Sequence, residues 1–218
     1  MRKLYFFLIA LIAFSFQTLA DTVRNGVLQA YWLPQWNNGL NTPKFELRFF
    51  PFSDNGKQGK VINIDSSTTN ETFVKDNFES YSDGFFKFKE GHIEQSGVIR
   101  LKKINKTQEC DSTVWQAKMV SFVRNNKNLK VEEQSIECGS YPYLISYQLK
   151  DGVDTVTLRD KPENDGKVIY RIDNQHSLIK IRNVNSKWLY VAEYDASKEN
   201  LIGEHQGYIE YSNIEPLN

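Results

Sequence analysis

After the first 20 residues, most stretches that look ordered show one of two signals. Either apolar and polar residues alternate with a period of two, or the residue types that favour strands predominate. Such alternation is typical of strands with one buried and one solvated face. It predicts strands bounded by Gly, Asn, Asp, Ser or Pro at Lys44–Phe49, Phe85–Phe88, Val98–Leu101, Val114–Val123, Leu129–Ile136, Val168–Ile172 and Leu178–Ile181. Apolar spacing predicts only one short helical turn, near Thr72–Phe78. The sequence therefore predicts a mainly β protein.

The first 20 residues have the features of a secretory signal peptide. Arg2 and Lys3 precede an apolar run from Leu4 to Phe16, and small residues stand at the cleavage position in Thr18-Leu-Ala20. Cleavage after Ala20 predicts an exported chain, with an uncleaved N-terminal anchor as the alternative. No later stretch approaches the roughly 20 apolar residues that cross a bilayer, so no membrane span is expected after cleavage.

The charge of the chain is nearly balanced. Without Arg2 and Lys3, the 27 basic residues fall to 25 against 27 acidic ones, a formal charge of −2. A balance of this kind favours neither nucleic acid nor an anionic membrane as a partner.

Cys110 and Cys138 are the two cysteines of the chain, and an even pair in an exported protein is most simply a disulfide. A reactive thiol is the alternative. Residues 124–128 read as a hairpin tip, and simple antiparallel register would then place Cys138 opposite Trp115 instead of Cys110. The bridge therefore requires residues 109–113 to fold back as a loop or bulge.

Three motifs in the last third of the chain carry a family resemblance. Residues 155–162 read Thr-Val-Thr-Leu-Arg-Asp-Lys-Pro, residues 188–194 read Trp-Leu-Tyr-Val-Ala-Glu-Tyr, and residues 207–214 read Gly-Tyr-Ile-Glu-Tyr-Ser-Asn-Ile. Together, over about Val153 to Ile214, they resemble a bacterial SH3-like domain. The resemblance implies a small β-barrel that binds ligands and does not catalyse reactions.

The predicted organisation has three parts: a signal peptide at 1–20, a β-rich N-terminal domain at 21–145 and an SH3-like domain at 146–218. Turn-forming residues from Gly139 to Pro142 mark the boundary between the last two. The smaller domain is near the size at which a single core holds unaided, so we expect it to pack against the larger one. Gly207 is expected to permit a bulge or a close backbone approach.

Aromatic residues are the candidate ligand-binding groups, because such side chains bury a large area at low entropy cost. In the N-terminal domain the candidates are Trp32 and Trp36, for which a place in the core is the alternative. In the C-terminal domain four tyrosines are candidates for a groove that takes a peptide or a glycan: Tyr190, Tyr194, Tyr208 and Tyr211. Trp188 and Ile209 are expected to fill the core of that domain.

The sequence offers no evident catalytic or metal-binding motif, and no cofactor is expected. His92, His176 and His205 are scattered without a second ligand at metal-like spacing, and no Gly-x-Ser-x-Gly motif occurs. Glu132 and Glu133, read as strand residues, would point to opposite faces. An enzyme whose carboxylates are gathered by the fold stays possible, and its sign would be three or more acidic groups in one pocket.

These observations predict an exported, non-enzymatic protein of the bacterial envelope, periplasmic or secreted. The SH3-like resemblance implies that it binds peptidoglycan, a stem peptide or an envelope protein. The alternative is a periplasmic immunity or inhibitor protein that blocks a toxin or hydrolase acting in the envelope.

Overall fold

Strands dominate the structure, a computed structural model that describes residues 21–37, 40–66, 71–109, 112–133 and 141–217. In chain order the strands are β1 (Thr22–Leu33), β2 (Trp36–Asn37), β3 (Leu40–Asn41), β4 (Lys44–Pro51), β5 (Ile62–Ile64), β6 (His92–Glu109), β7 (Ser112–Arg124), β8 (Ser146–Leu149), β9 (Thr155–Arg159), β10 (Val168–Asp173), β11 (Leu178–Asn183), β12 (Trp188–Tyr194), β13 (Ile202–Glu210) and β14 (Ile214–Pro216). The helical segments of the same ranges are α1 (Glu71–Asn77), a π-helical turn (Phe85–Lys89) and a 3₁₀ turn (Tyr211–Asn213). The mainly β prediction is confirmed, and α1 confirms the predicted helical turn.

Two of the sequence predictions fall on positions that the structure does not describe. The signal segment, residues 1–20, lies outside the described residues, as do Cys110 and Cys138. Cleavage after Ala20 and the disulfide therefore stay predictions. Among the described residues, no helix is both long and apolar enough to cross a membrane.

The N-terminal strands form a closed barrel in the order β1, β4, β5, β7, β6. Neighbouring strands are antiparallel except β5 and β7, which run parallel. α1 lies between β5 and β6 in the sequence, and its Val74 enters the barrel core together with Phe78. A five-stranded barrel with this strand order and this helix has the topology of the OB-fold.

The middle of β1, residues 26–31, is buried on both faces of the strand. Leu28 and Ala30 point into the barrel core. Gln29 alternates with them and points outward, yet it is fully buried. It is covered because the chain after β7 returns across this face, where Glu133 contacts Gln29 and Tyr143 packs against Tyr31.

Two predicted strands are wrong in the part of the chain that the structure describes. Phe85–Phe88 belongs to the π-helical turn, which directs Phe85 into the barrel core. Residues 129–133 form no strand, and the rest of the predicted Leu129–Ile136 strand lies outside the described residues. Instead of pairing with β7, the backbone of Glu132 forms hydrogen bonds with the Gln58 side chain.

The hairpin predicted at residues 124–128 is wrong as well, because residues 129–133 form no second strand. The antiparallel partner of β7 precedes it in the chain, and β6 and β7 remain paired as far as Glu109 and Ser112. Trp115 faces Lys106 in this ladder. Trp115 therefore has no partner from a hairpin at residues 124–128, on which its predicted position opposite Cys138 depended.

The C-terminal strands form one antiparallel sheet in the order β10, β9, β13, β12, β11, β8, β14. Val156 and Leu158 of β9 are buried in its core, as the alternation predicted. β8 pairs with β11 on one side and with β14 on the other, and a 3₁₀ turn precedes β14. β13, which carries Gly207, lies inside the sheet. The relation to the bacterial SH3-like family stays a prediction.

Gly207 provides the close backbone approach that the sequence predicted. A Cβ at this position would lie 2.9 Å from the carbonyl oxygen of Arg159 and 2.9 Å from the Cβ of Leu158. Real Cβ atoms do not approach backbone so closely, so only glycine allows β13 to pass β9 here.

The two halves of the chain have separate cores and contact each other. One core cluster consists of barrel residues and the other of residues from Ile145 to Ile214. Trp36 of the N-terminal half packs against the C-terminal core. Glu90 forms an ion pair with Lys180 and accepts a hydrogen bond from Asn183 Nδ2 at 2.8 Å.

Candidate functional site

Two of the four candidate tyrosines meet on the C-terminal sheet. Tyr190 of β12 and Tyr208 of β13 are directly paired, and their ring centroids are 4.9 Å apart. Arg182 of β11 pairs with Tyr190 from the other side. We call Arg182, Tyr190 and Tyr208 the platform, since three adjacent strands hold these side chains in one row.

Arg182 ties the platform together. Its Cζ lies 5.0 Å from the Tyr190 ring centroid and 5.9 Å from that of Tyr208. Its Nη2 also donates a hydrogen bond to the Tyr208 hydroxyl at 3.0 Å. Arg182 is exposed and both tyrosines are half-buried, so the platform presents flat rings and guanidinium N–H groups to solvent.

The other predicted C-terminal residues lie apart from the platform. Tyr211 contacts the ring of Tyr147 at 6.0 Å. Tyr194, at the end of β12, is 42% exposed. Trp188 and Ile209 are buried, as predicted for core residues.

Trp32 and Trp36 pack against the two cores. The Trp32 ring contacts the rings of Phe45 and Phe85 at 5.4 and 5.9 Å, in the barrel. Trp36 packs against the C-terminal core. Both indoles are half-buried. Trp32 packs against the N-terminal core, as the alternative to a binding role proposed, whereas Trp36 packs against the C-terminal one.

A second candidate site, which the sequence did not indicate, lies on the covered outer face of the barrel. It is a cleft of about 440 Å³ between the two halves of the chain. Its lining residues come from β6, from two segments that follow β7 in the chain and from the loop before β13. They are His92, Glu94, Val131, Glu133, Tyr141, Tyr143, Lys198, Glu199 and Asn200. We call this site the cleft.

A buried polar network forms the floor of the cleft. The Arg48 side chain is 4% exposed and forms an ion pair with Glu133, whose side chain is 10% exposed. Arg48 Nε donates to Gln29 Oε1 at 2.6 Å. Gln29 Nε2 in turn donates to Glu94 at 2.7 Å and lies 3.4 Å from Glu133. Gln29 therefore connects the Glu133 carboxylate, which is paired with Arg48, to the Glu94 carboxylate.

Aromatic rings form the walls around this network. The His92 and Tyr143 rings stack at 3.9 Å, and Tyr141 meets Tyr143 edge-on at 6.3 Å. The Tyr143 hydroxyl lies 3.4 Å from Glu133 Oε1. Tyr141 donates a hydrogen bond to the backbone carbonyl of Glu199 and so connects the barrel side of the cleft to the C-terminal half.

Burial shifts the protonation of the cleft residues. Burial, and after it the positive charge of Arg48, lowers the pKa of His92 to about 4, so its imidazole is neutral near about pH 7. Burial raises the pKa of the Glu94 carboxyl, although the hydrogen bond from Gln29 opposes this shift. Burial also raises the pKa of the Tyr143 phenol, which stays a hydrogen-bond donor.

The cleft contains three carboxylates, those of Glu94, Glu133 and Glu199. This number of acidic groups in one pocket is the expected sign of an enzyme. Glu133 is held by Arg48 and is nine-tenths buried, whereas Glu199 lies on the opposite, exposed rim. Among the described residues, no group of three or more His, Cys, Asp or Glu side chains is arranged to hold a metal ion.

The sequence missed the cleft because its residues are far apart along the chain. Gln29 and Glu133 are separated by 104 positions. The one local signal is Arg48, a charged residue between Leu47 and Phe49 in an apolar strand. Comparisons of the chain with protein-family models, curated proteins and solved structures found no match.

Proposed function

We propose that this chain is an exported, non-enzymatic protein of the bacterial envelope whose C-terminal unit binds peptidoglycan at the platform. The observation that carries the proposal is the row of Arg182, Tyr190 and Tyr208 across three adjacent strands. The SH3-like resemblance supplies the ligand class, and the near-neutral charge disfavours nucleic acid and anionic lipid.

The platform suits a ligand with flat groups and a carboxylate. Tyrosine rings stack on peptide planes and on the apolar faces of sugars, and they keep a hydroxyl for hydrogen bonding. A guanidinium presents several N–H groups in a fixed plane, which matches a carboxylate. Because Tyr208 and Tyr190 already hold Arg182, little side-chain entropy is lost on binding. A stem peptide, which combines peptide planes with carboxylates, fits these groups best.

The test is co-sedimentation of the chain from Asp21 with purified peptidoglycan. We expect the wild-type protein to sediment and a stem-peptide fragment to compete. Arg182→Ala and Tyr208→Ala should each weaken binding by about tenfold or more, as central interface residues do. Tyr194→Ala is the matched control, because this exposed tyrosine lies on the same strand as Tyr190 but outside the platform, and its binding should be unchanged.

Three outcomes would contradict the proposal. Equal sedimentation of wild type and platform variants would remove the platform as the site. A stoichiometric protein partner from envelope extract, without binding to the wall, would support the immunity or inhibitor alternative. Soluble fragments released from the wall would show an enzyme and direct attention to the cleft carboxylates.

A further inference from the structure

We propose that the cleft binds a primary ammonium group carried on an alkyl chain, as in the side chain of a lysine or a related diamino acid. The Glu94 carboxylate receives the ammonium, and the His92 and Tyr143 rings pack against the chain. The cleft shares no residue with the platform, so the proposal does not depend on the proposed function.

The charges in the cleft favour a cation. Glu133 is neutralised by Arg48, and Lys198 on the rim lies 3.7 Å from Glu204. Glu94, in contrast, has no Lys or Arg in an ion pair with it among the described residues. Its nearest basic group is His92 Nε2 at 3.7 Å, and that imidazole is neutral near about pH 7.

Glu94 is also accessible and fixed in place. Its side chain is 33% exposed and lines the cleft. Its Oε1 accepts a hydrogen bond from buried Gln29, which Arg48 orients in turn. A carboxylate whose position is set by a buried network binds a cation without a large ordering cost.

The aromatic walls point to an organic cation and away from a metal ion. A hard divalent cation needs six or more oxygen ligands, and the described residues of the cleft offer single carboxylates separated by rings. Ring faces attract ammonium groups and pack against alkyl chains. The stacked His92 and Tyr143, with Tyr141 beside them, provide such faces next to Glu94.

The experiment is a calorimetric titration of the chain from Asp21 at low ionic strength and about pH 7, where screening of charges is weak. The probe is Nα-acetyl-lysine methylamide, and the comparison is Nα-acetyl-norleucine methylamide, which has the alkyl chain without the ammonium. We expect saturable binding of the lysine probe. The norleucine probe should bind at least about tenfold more weakly, as the loss of one charge-assisted hydrogen bond implies.

Two variants assign the binding to the cleft. Glu94→Gln keeps an oxygen that accepts the hydrogen bond from Gln29 but removes the negative charge. It should lower the affinity for the lysine probe by about tenfold. Glu71→Gln is the matched control, because it removes the same charge from an exposed residue of α1, outside the cleft lining. Lys198→Met, on the exposed rim, should tighten binding, since it removes a cation that repels the probe.

The proposal is overturned by any of three results. These are no saturable binding of the lysine probe, equal affinity for the two probes, and unchanged affinity in Glu94→Gln. Loss of folding in Glu94→Gln, seen by near-ultraviolet circular dichroism, would leave Lys198→Met and the probe comparison to decide. Failure here would not affect the platform, which is tested with peptidoglycan and other variants.

Discussion

The buried ion pair of Arg48 and Glu133 allows the sharpest stability prediction. Arg48→Met keeps an apolar chain of similar length against the Tyr31, Phe50 and Tyr143 rings, which surround the guanidinium at 5.3, 5.0 and 5.8 Å. It removes the cation paired with Glu133, whose side chain is only 10% exposed. The variant therefore leaves a carboxylate buried without the charge that compensates it.

The expected cost follows from this burial. Removing one partner of a buried pair costs about 3 to 5 kcal/mol, because the remaining charge stays desolvated. That is a large share of the roughly 5 to 15 kcal/mol by which a typical domain is stable. Replacing both partners removes the uncompensated charge, so Arg48→Met with Glu133→Met should cost only about 1 to 2 kcal/mol, chiefly for the lost hydrogen bonds of Gln29 and Tyr143.

The assay is urea unfolding of wild type, both single variants and the double variant, followed by far-ultraviolet circular dichroism and tryptophan fluorescence. The coupling energy from the double-mutant cycle should be at least about 2 kcal/mol. The slope of the free energy of unfolding against urea concentration should be the same in all four proteins, since a changed slope would indicate loss of two-state behaviour. A cost below about 1 kcal/mol for Arg48→Met, or a double variant no more stable than the single ones, would refute the reasoning.

Two further predictions concern Trp188 and His92. Trp188 is 4% exposed, so Trp188→Ala should lower the free energy of unfolding by about 3 to 5 kcal/mol in urea titration, and near-wild-type stability would contradict its core role. The folded-state pKa of His92, about 4, lies below its ordinary value of 6.5, so the unfolded state binds more protons between these two values. Stability should therefore fall as the pH drops through this window, and His92→Gln should reduce the fall. Equal pH dependence in both proteins would show that His92 does not titrate as described.

The strand pattern of this chain was predictable where a local rule decides it. Alternation of Thr155 to Arg159 predicted β9, because one face of that strand meets the core. The turn at Phe85–Lys89 was not predictable, since three phenylalanines in a stretch of five residues fit a strand as well as a helical turn. The absence of a strand at residues 129–133 goes with the hydrogen bonds between the Glu132 backbone and the Gln58 side chain, a contact that only the tertiary structure shows.

The same limit applies to the candidate sites. Tyr190 and Tyr208 were predicted as binding residues from aromatic content, but the partnership with Arg182 depends on the register of three strands. The cleft depends on Gln29, Arg48 and Glu94, which come from three barrel strands. Of these three residues only Arg48 stands out in its own strand, and its role appears only when the barrel brings it to Gln29 and Glu133.

The position of Trp36 determines how the C-terminal unit can be transferred between proteins. This tryptophan precedes the proposed boundary by more than a hundred positions, yet it packs against the C-terminal core. A fragment that begins at Ser146 would lack an indole that covers its own apolar residues. The C-terminal sheet is therefore not a portable module, and a graft onto another scaffold would have to carry the β2–β3 hairpin with it.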